Sequence, residues 1–469
     1  PVFTAQNAIG STVATDSDVD ALGESGPVTV LADETNNDVD AGLYTPVSLG
    51  QTVWFDTNAN GTQDGGEPGI PNATITVTWF GPNGSVPFTT TTDANGTWTI
   101  ANLPPGDFSV AVSGLPADVI PTYDLDGTGT PSVTLLSAPS GETRTDVNFG
   151  YTGFGSIGDR VFLDANGNGV WDAGEGLDVV TVTATGDLNG DGVAEPLTTV
   201  TAADGFYTFA NLRSSPGGVN YTITVDPAAL PQTGAGVAIA NTIDPDGGTA
   251  NSATLSLLSA APENLAQDFG YRGPGTIGDS IFLDANGNGT FDSGEGITGI
   301  DVTLTADVDG DGVPESFTRT TDAAGQFLFD GLPVRTPTGT LISYTVAVDP
   351  ADLPGRGPNT AGPAGGNDGT ATLTLDPITQ SNLNQDFGYR GPGVIGDRIY
   401  LDFNGDGVFQ PGEGLSGITV TLVADLNGDG LSETLTAITD PDGFYQFTGL
   451  PVFQSDGSTP VSYVATVGA

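Results

Sequence analysis

Four stretches of this chain set oxygen-bearing side chains at the spacing of a twelve-residue calcium loop. Asp56, Asn58, Asn60, Asp64 and Glu67 fill positions 1, 3, 5, 9 and 12 of the first. Asp164, Asn166, Asn168, Asp172 and Glu175 repeat the set, as do Asp284, Asn286, Asn288, Asp292 and Glu295. The fourth has Asp402, Asn404, Asp406 and Glu413, with Gln410 at position 9. Position 6 is glycine throughout (Gly61, Gly169, Gly289, Gly407), and the position-7 carbonyls belong to Thr62, Val170, Thr290 and Val408. The chemistry of such a set is cation coordination. Ca²⁺ takes roughly six to eight oxygens, glycine permits the sharp turn, and a terminal glutamate chelates through both oxygens. Four copies in register point to calcium binding.

A shorter acidic motif recurs three times. Asp187, Asn189, Asp191 and Glu195 stand at positions 1, 3, 5 and 9, with the Val193 carbonyl at position 7. Asp307, Asp309, Asp311, Val313 and Glu315 follow the pattern, as do Asp425, Asn427, Asp429, Leu431 and Glu433. No glutamate follows at position 12. Such a loop either borrows a ligand and holds Ca²⁺, or is a solvated acidic hairpin turn. The region before residue 150 offers Trp79 to Gly84 instead, so fewer ions are expected there. Asp124 with Asp126, Asp244 with Asp246, and Asp16 with Asp18 form a third, weaker pattern, for which a plain turn is favoured over a metal site.

Rigid elements must hold these loops, and the intervening sequence reads as strands. Val179 to Ala184 and Asp301 to Ala306 alternate apolar and polar residues, as half-buried strands do. A turn followed by aromatics recurs at Asp93–Trp98, 204–209, Asp322–Phe329 and Asp442–Phe447, and no helical period survives. About six or seven short strands per unit, separated by glycine and proline, predict an all-β tandem array of prealbumin-like or immunoglobulin-like β-sandwiches. Loop starts at 56, 164, 284 and 402 give periods of 108, 120 and 118 residues, the size of autonomous domains. A closing string Phe-Gly-Tyr at 149–151, 269–271 and 387–389 sets three repeats at 48–153, 154–273 and 274–392.

The flanks resemble incomplete repeats. Residues 1–47 follow the last strands of a unit: Asp16 to Asp20, Val28 to Val30 and Asp38 to Tyr44 parallel Asp124–Asp126, Ser132–Thr134 and Asp146–Tyr151. Residues 393–469 open a unit and reach Tyr463 to Val467 without a closing string. Two readings are open: excision from a longer chain, or a subunit whose N-terminal segment completes a neighbour's last sandwich and polymerises head to tail.

Composition excludes several functions. Fifty-eight acidic residues face nine basic ones, all arginine, for a formal charge of −49. That charge argues against nucleic acid and anionic membranes as partners. No residue is lysine, histidine, cysteine or methionine. Without them there is no Ser-His-Asp triad, thiolate nucleophile, Schiff base or ordinary zinc site. The conspicuous acids recur in every unit, whereas a catalytic carboxylate pair would be unique. The chain is expected not to be an enzyme, and no apolar run long enough to span a membrane appears.

The string from Leu49 to Ile70, the turn Thr91–Trp98 and the ending Tyr123 to Tyr151 resemble the B domains of serine-aspartate-repeat adhesins. More broadly they resemble the collagen-adhesin B-type, prealbumin-like repeats of bacterial surface proteins. The resemblance covers essentially the whole chain. It implies Ca²⁺-stabilised sandwiches forming a stalk that holds a ligand-binding region away from a cell wall. Many B-type domains carry a lysine–asparagine isopeptide bond, and without lysine that staple cannot form here. The expected function is an extracellular structural rod, an adhesin stalk or filament subunit; the alternative is the ligand-binding region of a surface adhesin. Short proline-containing junctions, Tyr271–Asp279 and Tyr389–Asp397, favour a semi-rigid rod, with Arg160, Arg272, Arg390 and Arg398 flanking the boundaries.

Overall fold

Alternation writes the sheets. In Thr181–Gly186 every second residue is buried, and Val219–Val225 buries Val219, Tyr221, Ile223 and Val225 on one face. The computed structural model describes the chain except residues 1, 5–16, 285–286, 293–294, 350–351, 354–358, 362–368, 427–429, 431, 455–457 and 469, with backbone alone at 359–361. Among the described residues the only helix is a 3₁₀ turn at Pro227–Ala229, capped by the Asp226 carboxylate. The architecture is all-β, a tandem array of two-sheet sandwiches.

The repeat at 154–273 shows the plan. Its first sheet is built on Gly155–Leu163, which pairs antiparallel with Phe206–Leu212 and parallel with Glu263–Asn264 and the closing strand Phe269–Arg272. The closing strand pairs antiparallel with Ala240–Ile243. The second sheet runs Glu195–Val200, Thr181–Gly186, Val219–Val225, Ser252–Leu257, all antiparallel. The repeats before and after have the same five- and four-stranded sheets. Each complete unit thus has nine strands, more than the six or seven expected, one of them a two-residue strand (Thr143–Arg144, Glu263–Asn264 or Ser381–Asn382).

The opening strand ends in three consecutive buried residues, Val161, Phe162 and Leu163. Phe162 faces away from the core and is covered because the chain returns over it after the twelve-residue loop, bridging Gly176 to Phe162. Leu163 N–H donates to Glu175 O (2.8 Å) and Leu177 N–H to Val161 O (3.0 Å), so the loop has a ladder at its base.

A recurring threonine, overlooked in the sequence, locks that return. Thr201 Oγ1 donates to Leu177 O (2.6 Å) and accepts from Val180 N (2.9 Å). Thr92, Thr321 and Thr439 make the same pair of bonds. The signal was present: each sits immediately before the conspicuous turn.

The flanks differ from the complete units. Leu43–Tyr44 pairs with Val2–Phe3, not with an opening strand, and residues 26–42 form no strand although Val28–Val30 resemble one. With no sheet beside them, Val28 and Val30 stay exposed. In the last unit Gly393–Arg398 pairs with Phe444–Leu450, while Glu433–Ile438, Thr419–Ala424 and Val464–Val467 form the second sheet. Among the described residues no closing strand covers 399–401. Leu401 is 49 % exposed, against 0 % and 2 % for its counterparts Leu163 and Leu283.

Candidate metal centres

Each twelve-residue loop leaves the end of an opening strand, so its first carboxylate is placed by the sheet. Asp56 N–H donates to Tyr151 O (2.7 Å), Asp164 to Tyr271 O (2.9 Å) and Asp284 to Tyr389 O (2.9 Å). The closing strand therefore buries position 1: these aspartates are at most 2 % exposed. Asp402, without a closing strand, is only half-buried.

Within loop 164–175 the two asparagines turn toward Asp172. Asn166 and Asn168 both direct Nδ2 at Asp172 Oδ2, the latter at 2.8 Å. Glu175 folds back so that Oε1 accepts from Ala165 N (3.1 Å) and Oε2 from Asp172 N (3.0 Å). Burial, then the nearby Asp172 and Asp164, pushes the Glu175 carboxyl up to about 7. Asp164 Oδ1 is buried without a hydrogen-bond partner, and the nearest cation is Arg272 Nη1 at 3.9 Å. An asparagine amide presents O or N at nearly the same point, so a half-turn of Asn166 and Asn168 offers oxygens to a shared ion. Gly169, at φ +76°, makes the turn that brings the Val170 carbonyl round.

The other loops repeat the arrangement. Asn58 and Asn60 donate to Asp64 Oδ2 at 2.9 and 2.7 Å, Glu67 accepts from Thr57 N and Asp64 N, and Gly61 precedes Thr62. Asn288 donates to Asp292 Oδ2 (2.8 Å), which sits beside Glu295, with Thr290 following Gly289; Asn286 lies outside the described residues. In the fourth loop Gln410 replaces the aspartate, receiving Asn404 Nδ2 (3.2 Å) and donating to Asp406 Oδ2 (2.8 Å). Glu413 accepts from Phe403 N and Gln410 N, and Val408 follows Gly407.

The shorter motif occupies the hairpin between the first two strands of the second sheet, where the first repeat instead turns through Gly81–Gly84. The Asp307, Asp309 and Glu315 ligand atoms all lie within 4.8 Å of one another. Burial raises Asp309 to about 6 and Glu315 to about 8. In 187–195 the equivalent Asp187 is paired with Arg213 Nη2 (2.8 Å), beside Asn189, Asp191 and Glu195. The arginine supplies part of the charge a cation would bring, which makes 307–315 the stronger candidate of the two. Asp311, Val313 and Val193 are placed by the turn, with Val313 N on Asp311 Oδ1 and Val193 N on Asp191 Oδ1 (both 2.6 Å). Leu426 N donates to Glu433 Oε2 (2.8 Å) and Gly430 N to Asp425 Oδ2 (3.1 Å); Asn427, Asp429 and Leu431 lie outside the described residues.

The loops also stand at the junctions between repeats. Asn189 Nδ2 donates to Gly69 O (2.8 Å), and Asp178 N to Asp309 Oδ2 (2.7 Å), so the short loop of one repeat rests beside the long-loop exit of the repeat before it. Arg272 donates to Asp164 O (2.6 Å) and pairs with Asp330 of the following repeat (2.9 Å). Arg319 reaches back to Ala165 O (2.6 Å). A Cβ on Gly273 would meet Leu332 O at 2.1 Å, and its N–H bonds Gly331 O (2.7 Å), which fixes the linker against the next sheet. Of the four flanking arginines, Arg272 and Arg390 serve the junctions; Arg160 and Arg398 stack on Trp171 and Phe409 inside their own units. Replacing Arg272 by Ala should cost repeat 154–273 about 1–3 kcal/mol, because it removes the donor to Asp164 O and the cation beside a buried carboxylate as well as the partner of Asp330. The junction should loosen, broadening the interdomain distance distribution in small-angle scattering; an unchanged distribution refutes the latch.

The Trp79–Phe80 pair divides. Trp79 is half-buried with Nε1 donating to Pro105 O (3.0 Å), whereas Phe80 is exposed.

The sequence model of the SdrD B-like domain matches residues 47–145, 155–271, 275–389 and 393–467, and the chain belongs to that family. It is 33 % identical over 451 residues to serine-aspartate repeat-containing protein D of Staphylococcus aureus strain Newman, covering 92 % of this chain and 32 % of that protein. It is 31 % identical over 432 residues to serine-aspartate repeat-containing protein F of Staphylococcus epidermidis, covering 86 % of this chain and 23 % of that one. The chain thus spans about a third or less of these relatives. Among solved structures, the Bacillus anthracis TIE protein aligns over 74 % of this chain and 50 % of its own at 14 % identity and a TM-score of 0.25. A streptococcal ancillary pilin aligns over 74 % and 99 % at 11 % identity and a TM-score of 0.24. Overlap this slight carries no further argument. Membership of a family of structural adhesin repeats marks the chain as not an enzyme. No helix among the described residues is long and apolar enough to cross a membrane.

Proposed function

We propose that the chain is a calcium-stiffened rod of the bacterial cell surface, a stalk segment of a surface adhesin. One observation carries the reading. In loop 164–175 Asp164 and Glu175 are nearly fully buried, Glu175 Oε2 accepts from Asp172 N, and the protein cation nearest Asp164 is the Arg272 guanidinium at 3.9 Å. Burying carboxylates without neutralisation is costly, and a bound cation removes that cost. Because loops 56–67, 164–175 and 284–295 hang from closing strands that lead into the next repeat, an ion in each would stiffen the unit and its junction together.

The test is ion counting by calorimetric titration of the full chain. Glu175→Ala removes a two-oxygen ligand and leaves Gly169 in place, so the variant should bind one Ca²⁺ fewer. An equal count in variant and parent refutes the loop assignment.

Head-to-tail assembly is the finer reading, and the open edge at 399–401 favours it. In a longer chain, residues after 469 supply the closing strand in cis. In the chain as given, the segment of matching pattern is Asp38–Tyr44 of a second copy, with Val39 and Gly42 in the places of Val147 and Gly150.

A further inference from the structure

Two small hairpins meet across the junction between repeats 154–273 and 274–392. The first spans 231–239, beyond the strand Val219–Val225. Thr233 N–H donates to Val237 O (2.7 Å) and Ile239 N–H to Pro231 O (2.9 Å), with Gly236 at φ +74° in the turn. The second spans 334–342, just past the strand Gln326–Leu332. In it Thr336 N–H donates to Thr340 O (2.9 Å) and Ile342 N–H to Val334 O (3.1 Å). Ile239, Val334 and Ile342 are buried, so each hairpin is pinned to its own repeat.

The hairpins pair edge to edge. Gln232 N–H donates to Arg335 O (2.7 Å), and the N–H groups of Val334 and Arg335 both donate to Gln232 O (2.8 and 3.0 Å). Gln232 bridges Ala238 within its hairpin and Arg335 across the junction, and Arg335 bridges Leu341 in turn, all antiparallel. The middle seam of this strip therefore joins two repeats by main chain. Gln232 Nε2 adds a bond to Pro337 O (2.7 Å), and Gly234 N–H donates to Gln380 Oε1 (3.2 Å). A Cβ on Gly234 would collide with the Pro377 carbonyl. None of these bonds involves the linker or the Arg272–Asp330 pair.

The junction before it is built differently. There 115–120 takes the place of 230–240 and runs directly into the strand Ile120–Asp124. On the receiving side Ser215 bridges Leu258 of its own repeat. Among the described residues, no backbone–backbone bond outside the linker joins 48–153 to 154–273. Their hydrogen bonds run through side chains: Asn189 to Gly69 O, Asn211 to Thr57 O, and Ser259 with Asp118.

We propose that the seam makes 154–273 and 274–392 a single folding unit, while 48–153 unfolds on its own. Tandem domains that share only small polar contacts move independently by default. Main-chain pairing changes that, because opening either repeat strips the other of partners for its edge N–H and C=O groups. The short covalent link keeps the two edges at high effective concentration, so the seam closes whenever both repeats are folded. Each repeat is thus more stable beside its folded neighbour.

The experiment follows hydrogen exchange of the full chain in millimolar calcium. Ile223→Val, a mild defect in the core of 154–273, should speed exchange of the slowest amides about threefold or more, in 274–392 as well as in 154–273, and leave 48–153 unchanged. Gly234→Ala is a wedge, since the atoms nearest the added methyl all belong to Pro377. Replacing 231–239 by 116–119 of the first repeat removes the hairpin altogether. In either background the Ile223→Val effect should be confined to 154–273, and the Val334 and Arg335 amides should lose at least tenfold protection. A core defect that stays within 154–273 in the parent overturns the proposal, as does coupling that survives both variants.

Discussion

In excess chelator the chain should melt far below its temperature in millimolar calcium, with the three complete repeats each falling by about 10 °C or more. The four long loops and three short ones offer seven places for a divalent ion against a formal charge of −49. A site with a dissociation constant of about 10⁻⁴ M, in the range of extracellular modules, contributes about 2.7 kcal/mol at a hundredfold excess of ion. For a domain of this size that is worth roughly 10 °C in melting temperature per site. The pH dependence of the chelated chain has a definite sign. Glu175 and Glu315 are raised by burial to about 7 and about 8, so the folded state holds protons that the unfolded chain releases near 4.5. Stability without metal therefore falls as pH rises from about 4.5 through 8. Calcium should reverse that loss and expel the protons, which calorimetry in buffers of different ionisation enthalpy reads directly. A melting curve indifferent to chelator refutes the stabilising role.

The loops were the most legible part of the sequence because calcium ligation fixes residue type and spacing within twelve positions, without reference to the rest of the chain. The strands were legible for a similar reason: Thr181–Gly186 and Asp301–Ala306 alternate cleanly. Long-range placement was not legible. Nothing local announces that Asp56, Asp164 and Asp284 are buried by a closing strand about a hundred residues later, or that Asp402 lacks that cover. Arg213 directly follows the aromatic strand Phe206–Leu212 and gives no sign of facing Asp187. Arg160 and Arg398 follow the same Gly-Asp string at the unit starts and look like junction residues, yet each turns to its own loop aromatic. Asp124 has the sequence of a plain turn, yet it is buried at the end of the strand Ile120–Asp124. Val28–Val30 has the strand composition without a partner sheet, and local pattern alone does not make a strand.

At high concentration with calcium, the chain should form linear oligomers that deletion of residues 1–46 abolishes. The three closing strands each add a parallel partner to an opening strand: Phe149–Tyr151 on Val53–Phe55, Phe269–Tyr271 on Val161–Leu163, Phe387–Tyr389 on Ile281–Leu283. Ile399, Tyr400 and Leu401 present the same edge without that strand, and an uncovered edge beside apolar side chains recruits one. Asp38–Tyr44 carries the spacing of a closing strand, and among the described residues its one strand pairing is Leu43–Tyr44 with Val2–Phe3. Its weakness is Ala41, which stands where Phe149 fills the core, so the contact should be reversible and concentration-dependent. Insertion of one copy's segment into the next copy's last unit is heterologous and propagates as a filament. A peptide spanning 384–391, which restores the aromatic at that place, should compete for the edge and shorten the oligomers. It should also slow hydrogen exchange across 395–401 in the truncated chain. Oligomers that persist after the deletion and ignore the peptide would show that the edge is not their joint, and a strictly monomeric intact chain would leave the strand to be supplied in cis.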